Sequence, residues 1–308
     1  MNRLAARIRS GDRRALARGL SAVENRAQGA DDLLAALHAP EPSALRIGIT
    51  GAPGAGKSTL ADCVAKRLRG QGATVAILAV DPSSPFSGGA ILGDRVRMQR
   101  HHGDPGVFIR SMAARGQLGG LGPAVVDALA LLEASGFDAV VIETAGVGQS
   151  EVDVAQLAVT VAVVLVPTLG DDIQAAKAGI MEIADLFVIN KADLPGADEL
   201  ERQVLAMTSL IPDGQPKPPI LRTVATRCEG VEVLVDELER SGQTGTGAAY
   251  WKRLLLGRIS GELRSMLASG PEWGADLDRA AEAVASGQLN PYTYLRDALG
   301  RLRQQWKP

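Results

Sequence analysis

Short apolar runs alternate with amphipathic stretches between residues 45 and 240. Several of the runs are continuously apolar, as is typical of strands buried on both faces of a parallel sheet. The predicted strands are 46–50, 74–80, 106–111, 138–143, 161–167, 186–190 and 219–225. Because helical patterns separate most of them, the sequence predicts an α/β fold with a doubly wound, mostly parallel sheet.

Helical periodicity flanks this region on both sides. Apolar residues recur at helical spacing between residues 4 and 38, with breaks at Gly11 and Gly29, which predicts two or three helices. A glycine-rich tract, 241–249, precedes two further helical patterns. The predicted parts are therefore an N-terminal helical extension (1–44), the α/β domain (45–245) and a C-terminal helical arm (246–308).

Composition is that of an ordinary globular protein, with 46% hydrophobic residues, 22% charged residues and a net charge of −2 over 308 residues. This balance predicts no nucleic-acid partner, and the absence of a long apolar run predicts no membrane span. The N-terminus resembles neither a secretory signal nor, because acidic residues follow soon, a mitochondrial presequence. Cys63 and Cys228 stand far apart without metal-ligand spacing. Together these features predict a cytoplasmic protein with reduced cysteines.

The sequence "GITGAPGAGKST" follows the first predicted strand and precedes a helical pattern. It fits GxxxxGK[ST], a phosphate-binding loop (P-loop) in which glycines let successive backbone N–H groups face phosphate oxygens. Lys57 is expected to reach the β and γ phosphates and Ser58 to bind Mg²⁺. A glycine-rich turn without a ligand is the alternative. The predicted contacts of the triphosphate are Gly51, Ala52, Pro53, Gly54, Ala55, Gly56, Lys57, Ser58 and Thr59.

A second motif, "NKAD", follows the strand at 186–190. Asp193 there can accept hydrogen bonds from guanine N1 and N2, which adenine does not offer, so the motif predicts GTP as substrate and GDP as product. Asn190 and Lys191 would brace the loop and cover the base, although NKxD also occurs by chance at the ends of strands. Ala225 and Thr226 in "VATRCEG" are the predicted backbone contacts of the base, but they depart from the usual Ser-Ala pair.

Two predicted strands next to the P-loop end in a carboxylate, Asp81 and Glu143. Both are candidates for the shell of Mg²⁺, which uses few protein ligands. A turn or capping residue is the alternative, above all for Asp81. Between them the Ser-, Pro- and Gly-rich segment 81–102, which contains Asp94, is interpreted as a switch that orders around Mg²⁺ and GTP, or else as a surface loop.

In this order the motifs resemble the MeaB-type GTPases of the SIMIBI class, also known as the ArgK or LAO/AO transport kinase family, which are chaperones of adenosylcobalamin-dependent acyl-CoA mutases. The likeness spans nearly the whole chain. The motifs that carry it are "GAPGAGKST", "DPSSPFSGGAILGDRVRM", "FIRSMAARGQLGG", "ETAGVGQSE", "GDDIQAAKAGIMEIADLFVINKAD" and "NPYTY".

The resemblance implies that Ser58, Asp81, Asp94 and Glu143 organise Mg²⁺. It also implies a third switch at 166–177 that responds to the mutase, with Lys177 linked to activated hydrolysis; a strand-to-helix turn capped by an aspartate is the alternative for that segment. It further implies a homodimer formed through the C-terminal arm, where Tyr and Trp are concentrated, although these aromatics equally suit local packing.

The stretch "ETAGVGQ" departs from common GTPase switches. Glu143 is long enough to keep a metal role, whereas the isopropyl group of Val147 cannot orient water, and Gln149 is displaced from the usual position. The hypothesis is slow intrinsic hydrolysis, with Lys57, Glu143 and Lys177 as catalytic candidates and a partner that orders the switches. A metallochaperone GTPase, a small-molecule kinase and a non-catalytic binding module are the rival functions.

Overall fold

The computed structural model describes residues 2–38, 44–81, 101, 103–113, 123–144, 154–167, 181–212, 214–242 and 248–305. The chain divides into two compact units, Met1–Leu254 and Leu255–Pro308. The domain boundaries predicted from the sequence, after residues 44 and 245, stay predictions. No helix among the described residues combines the length and the apolar character needed to cross a bilayer.

Seven parallel strands form a single sheet in the first unit. They are β1 (Leu45–Thr50), β2 (Val75–Asp81), β3 (Val107–Ala113), β4 (Ala139–Thr144), β5 (Thr160–Leu165), β6 (Leu186–Ile189) and β7 (Ile220–Arg222). The strand order is β3-β2-β4-β1-β5-β6-β7, so the chain winds outward from β1 in both directions. The predicted α/β class and the doubly wound parallel sheet are confirmed.

Helices connect and flank the strands. Those that the described residues contain are α1 (Asn2–Arg9), α2 (Arg13–Glu24), α3 (Ala30–Leu37), α4 (Lys57–Gly70), α5 (Pro123–Ala134), α6 (Ala197–Thr208), α7 (Val231–Gly242), α8 (Ala248–Ser269), α9 (Pro271–Ala285) and α10 (Pro291–Gln305). Short 3-10 turns occur at Val154–Gln156, Met181–Ile183 and Ala225–Arg227. The helical character predicted for both ends of the chain is therefore present.

The three N-terminal helices share one apolar core with a face of the sheet. Ile8 of α1 and Leu33 of α3 are fully buried in it. Gly19 lets α2 approach its neighbours closely, because a Cβ there would lie 2.8 Å from a methyl of Leu131 in α5 and 2.9 Å from one of Ile8. Asp12 caps α2 by accepting a hydrogen bond from the backbone N–H of Ala15. This segment is thus packed into the first unit.

Helices α4 and α7 cover the opposite face of the sheet and build a second core. Leu60 and Val64 of α4 pack there with Ile47 and Ile49 of β1, and burial removes all four side chains from water. Because only a six-residue loop separates α4 from the end of β1, this packing fixes the beginning of α4 at the carboxyl edge of the sheet. That edge carries the candidate site.

Cys63 and Cys228 form a disulfide, which contradicts the prediction of reduced cysteines. Their Cα atoms are 5.5 Å apart although 165 residues separate them along the chain. Cys63 lies on α4, and Cys228 follows the 3-10 turn after β7. The sequence spacing could not show this pairing, because the fold is what brings the end of the sheet domain back to α4.

The second unit contains most of α8 together with α9 and α10. Asp276 on α9 accepts hydrogen bonds from the Tyr294 hydroxyl (3.0 Å) and the Arg301 guanidinium (2.6 Å) on α10. These bonds lower the pKa of Asp276, the Arg301 bond contributing most. Arg301 also lies 4.8 Å from the ring centre of Trp273. Trp273 and Tyr294 therefore pack locally. Local packing was the alternative to a dimer contact for the aromatic residues of the C-terminal arm.

Candidate nucleotide-binding site

The P-loop occupies residues 51–56, between the end of β1 and the beginning of α4. Gly51 and Gly56 have φ angles of +135° and +88°, which favour glycine. A Cβ at Gly51 would collide with the Val164 carbonyl oxygen, and one at Gly56 would lie 2.5 Å from the Asn190 side-chain nitrogen. Both glycines of the motif are thus required by backbone conformation and by space.

Lys57, the first residue of α4, turns back into the loop. Its Nζ donates hydrogen bonds to the carbonyl oxygens of Gly51 (2.7 Å) and Ala52 (2.8 Å). Only 5% of the residue is exposed. The ammonium group is held at the predicted phosphate position by neutral oxygen atoms, which anionic phosphate oxygens can replace favourably.

Ser58 and Glu143 are brought together, although 85 residues separate them. The Ser58 hydroxyl donates a hydrogen bond to Oε1 of Glu143, which is buried at the end of β4. Strand register places Glu143 beside Ile49 of β1 and Ala79 of β2. Two oxygen-bearing side chains therefore meet beside the P-loop, a donor set that suits Mg²⁺.

The other predicted metal ligands are only partly placed. Asp81 is the last residue of β2 and lies beside Ala113 of β3, at the same edge of the sheet as Glu143. Asp94 lies outside the described residues, as do Lys177, Val147 and Gln149. The predictions for these four stay predictions.

Asn190 connects the P-loop to the segment after β7. Its side-chain amide donates to the Ala55 carbonyl oxygen at 2.8 Å. Its Oδ1 accepts hydrogen bonds from the Thr223 hydroxyl (3.1 Å) and the Ala225 backbone N–H (3.0 Å). Asn190 is 1% exposed, so these bonds satisfy both ends of a buried amide. The "NKAD" asparagine thus braces the loop as the sequence analysis expected.

The predicted base-recognition residues cluster around the 3-10 turn at Ala225–Arg227. Ala225 is buried and Thr226 is exposed. Lys191 has a φ of +56°, which turns the chain sharply after β6. The turn and the "NKAD" segment are adjacent, because the Ala192 backbone N–H donates to the Thr223 carbonyl oxygen.

Arg227 contacts the candidate site and was not among the residues predicted from the sequence. It pairs with Glu229 through two hydrogen bonds (2.6 and 3.0 Å) and donates to Oδ2 of Asp193 at 3.2 Å. The Glu229 bonds raise the pKa of Arg227, and Arg227 in turn lowers the pKa of Glu229. The carboxylate predicted to read guanine is therefore contacted by a cation from the turn. The feature of the sequence that could have pointed to Arg227 is its position directly after the predicted base contacts, Ala225 and Thr226.

A P-loop between β1 and α4, facing "NKAD" at the end of β6, defines the class as a P-loop nucleoside triphosphatase. The family model described as methylmalonyl-CoA mutase-associated GTPase MeaB matches residues 16–257. The chain belongs to this family and is a GTPase.

Individual proteins agree with this assignment. A putative GTPase of Pyrococcus abyssi is 43% identical over 309 residues, covering 95% of this chain and 94% of its own. A probable GTPase of Mycobacterium tuberculosis is 42% identical over 254 residues, covering 80% and 76%. A crystal structure described as a LAO/AO transport system kinase has a TM-score of 0.68 and 26% identity, covering 98% and 97%.

Proposed function

We propose that this GTPase couples GTP binding and hydrolysis to the loading, protection or repair of an adenosylcobalamin-dependent acyl-CoA mutase in the cytoplasm. The observation that carries the proposal is the family match over residues 16–257, because the family is described by its association with methylmalonyl-CoA mutase. The geometry around the P-loop supports the GTPase half of the proposal.

The triphosphate would lie along residues 51–59, with its γ end beside Lys57. The two carbonyl bonds that now hold Nζ would be exchanged for bonds to phosphate oxygens. Charge-assisted bonds of this kind are about twice as strong as neutral ones. Lys57 would then stay in place and offset charge on the phosphates as water attacks the γ phosphorus.

Ser58 and Glu143 would hold Mg²⁺, with Asp81 and Asp94 as the further members of the proposed set. The fit rests on the existing contact between the Ser58 hydroxyl and the buried Glu143 carboxylate, two hard oxygen donors at one point. When bound, Mg²⁺ supplies positive charge that offsets the charge developing on the phosphate oxygens. Glu143 would change its partner from a hydroxyl proton to the cation.

Hydrolysis by the protein alone should be slow. Val147 has neither a donor nor an acceptor to orient the attacking water. A cation delivered when the switches become ordered would supply the missing stabilisation, and Lys177 is the proposed group. The client mutase would order those switches, so that GTP is consumed when the complex has formed.

A second copy of this chain is the other proposed partner. In the second unit, rows of apolar side chains are exposed along α8 and α10. They are Leu255, Ile259 and Met266 on α8 and Tyr292, Leu295 and Leu299 on α10. Their spacing places each row on one helix face, and apolar rows of this kind are commonly covered in a dimer.

The test is phosphate release from GTP with and without a purified cobalamin-dependent acyl-CoA mutase. We expect slow release alone and a rise of at least about tenfold with the mutase. Lys177→Ala should abolish the rise, whereas Lys217→Ala, a change of an exposed lysine, should keep it. Rapid release by the protein alone, or no response to any such mutase, would contradict the proposal.

The rival functions predict different outcomes. A small-molecule kinase would transfer labelled γ-phosphate to an acceptor instead of releasing it to water. A metallochaperone GTPase would need a cluster of metal ligands, and no group of three His, Cys, Asp or Glu side chains suited to a metal occurs within the described ranges. A non-catalytic module would release no phosphate under any condition.

A further inference from the structure

The Cys63–Cys228 disulfide joins the two segments between which the nucleotide is proposed to bind. Cys63 lies on α4, the helix that begins at Lys57, two turns from the P-loop. Cys228 follows the Ala225–Arg227 turn directly and has a φ of +51°. A covalent bond therefore runs from the phosphate side of the site to the segment predicted to contact the base.

Besides the disulfide, few bonds restrain the segment that is predicted to contact the base. We define the base loop as residues 224–229. A backbone bridge between Val224 and Glu229 closes it at its neck. One further hydrogen bond ties it to the P-loop side, from the Ala225 N–H to Asn190. The remaining bonds of the loop are those of the exposed Arg227 side chain to Asp193 and Glu229, and Thr226 is exposed.

The disulfide adds a restraint at the opposite end of the same loop. Asn190 holds Ala225, whereas Cys63 holds Cys228 three residues later. The Cys63 sulfur also lies 3.1 Å from the Ala225 carbonyl oxygen. With the bond intact, the backbone N–H groups of the loop are fixed before nucleotide arrives, and a site ordered in advance loses less entropy on binding.

We infer that the Cys63–Cys228 disulfide is a redox-sensitive clamp on the base loop, which slows release of guanine nucleotide when oxidised and speeds it when reduced. The inference rests on the proposed nucleotide site and adds a mode of regulation to it. Oxidising conditions would retain bound nucleotide, and reducing conditions would allow exchange.

The chemistry of switching is ordinary thiol–disulfide exchange with a dithiol as reductant. Cys228 is partly exposed while Cys63 is 2% exposed, so a thiolate of the dithiol attacks the Cys228 sulfur. The S–S bond breaks, and Cys63 leaves as a thiolate and takes up a proton. The second thiol of the reductant then displaces Cys228, which also ends as a thiol, and the reductant becomes a disulfide.

Reduction should loosen the loop without detaching it. The new Cys63 thiol lies within reach of the Ala225 carbonyl oxygen and can donate to it. Asn190 continues to hold the Ala225 N–H. The part loosened is the far end of the loop, from Thr226 to Cys228, which includes the predicted contact with the base and keeps only the exposed Arg227 bonds to Asp193 and Glu229. Guanine recognition, and not phosphate binding, should therefore change.

The experiment measures dissociation of fluorescently labelled GDP from the full chain, oxidised and after treatment with dithiothreitol. Thiol titration confirms each state. We expect about fivefold faster dissociation after reduction, the effect of weakening about one hydrogen bond to the base. ADP, which lacks the guanine contacts, should dissociate at the same rate in both states. The Cys228→Ser variant should release GDP at the rate of the reduced protein, and dithiothreitol should not change that rate.

Three results would overturn the inference. Two reactive thiols that persist after oxidation would show that the bond does not form. Equal GDP dissociation rates in both states, even with a lower melting temperature on reduction, would show a bond that only stabilises the fold. Failure of both states to bind GDP would instead overturn the nucleotide site itself, and the clamp with it.

Discussion

Asn190 is a residue that joins the two loops of the candidate site. It lies in the interior, yet both polar ends of its side chain are bonded, one to the P-loop and one to the base loop. A buried amide that lost these partners would cost about 1–3 kcal/mol, so the arrangement is stable only when both loops are in place. The P-loop and the base loop are therefore mutually dependent.

Gly56→Ala should disrupt this junction. An added methyl would lie 2.5 Å from the Asn190 side-chain nitrogen and would force φ = +88° on a residue that disfavours it. We expect a loss of about 1–3 kcal/mol in the free energy of unfolding and at least about tenfold weaker GDP binding, measured by urea unfolding and titration.

Gly54→Ala is the matched control for that change. Gly54 has a similar φ of +77°, but a Cβ there meets nothing within 4 Å. It should show the cost of the backbone conformation without the collision, and hence a smaller loss of GDP binding. Equal effects of the two substitutions would refute the steric argument at Asn190.

Residues of the site were predictable from sequence where local spacing fixes their geometry. The P-loop is six consecutive residues between a strand and the helix that begins at Lys57, so its motif was enough to anticipate where Lys57 and Ser58 lie. The Cys63–Cys228 bond and the Asp193–Arg227 contact were not, because each depends on where separate loops meet. Nothing in the local chemistry of either cysteine indicates its partner.

Among the elements, runs rich in apolar residues located every strand, and several of these runs are continuously apolar because their strands are buried on both faces of the sheet. The order of the strands did not follow from these runs.

Arg46 illustrates why sequence patterns mislead within a strand. It stands in β1 at 1% exposure and pairs with Glu133 of α5 at 2.9 Å, where burial raises the pKa of Glu133 and the charge of Arg46 partly offsets this.

Asp138 links two strands and makes the free energy of unfolding depend on pH. Its carboxylate accepts hydrogen bonds from the backbone N–H (2.7 Å) and the hydroxyl (2.8 Å) of Thr74, joining the beginnings of β2 and β4. These bonds lower the pKa of Asp138 below its ordinary value. The stabilisation is therefore present above the unfolded-state pKa, near 4, and is lost as pH falls through the lower folded-state value.

Asp138→Asn should accordingly destabilise the protein by about 1 kcal/mol at pH 7, a modest value because the side chain is exposed. Urea unfolding from pH 7 downwards should show the gap from the native protein closing below about pH 4. Glu232→Gln, which alters an exposed partner of Arg67, is the control and should change stability little. A gap that persists at low pH would exclude the ionised carboxylate as its source.

For the whole molecule, the exposed apolar rows of the second unit predict self-association. Leu255→Glu combined with Ile259→Glu places charge on the α8 row, where both side chains are about half exposed. Because burying an unpaired charge is costly, light scattering should report the mass of one chain for this variant and of two for the native protein.

Leu210→Glu serves as the comparison, since Leu210 is 82% exposed but lies in the first unit. This variant should remain dimeric. If the native protein were monomeric, or if the dimer persisted after the α8 substitutions, the proposal that the α8 row forms a dimer interface would be contradicted.

The N-terminal helices have a practical consequence for how the protein is shortened. The family match begins at residue 16, inside α2, whereas α1 lies wholly before it. A chain cut to the matched range would lose Ile8, which is fully buried in the core that the N-terminal helices share with the sheet, and would expose part of that core. Freshly exposed apolar surface promotes aggregation. The range matched by the family model is thus shorter than the segment that packs into the first unit, and a trimmed protein should begin no later than α1.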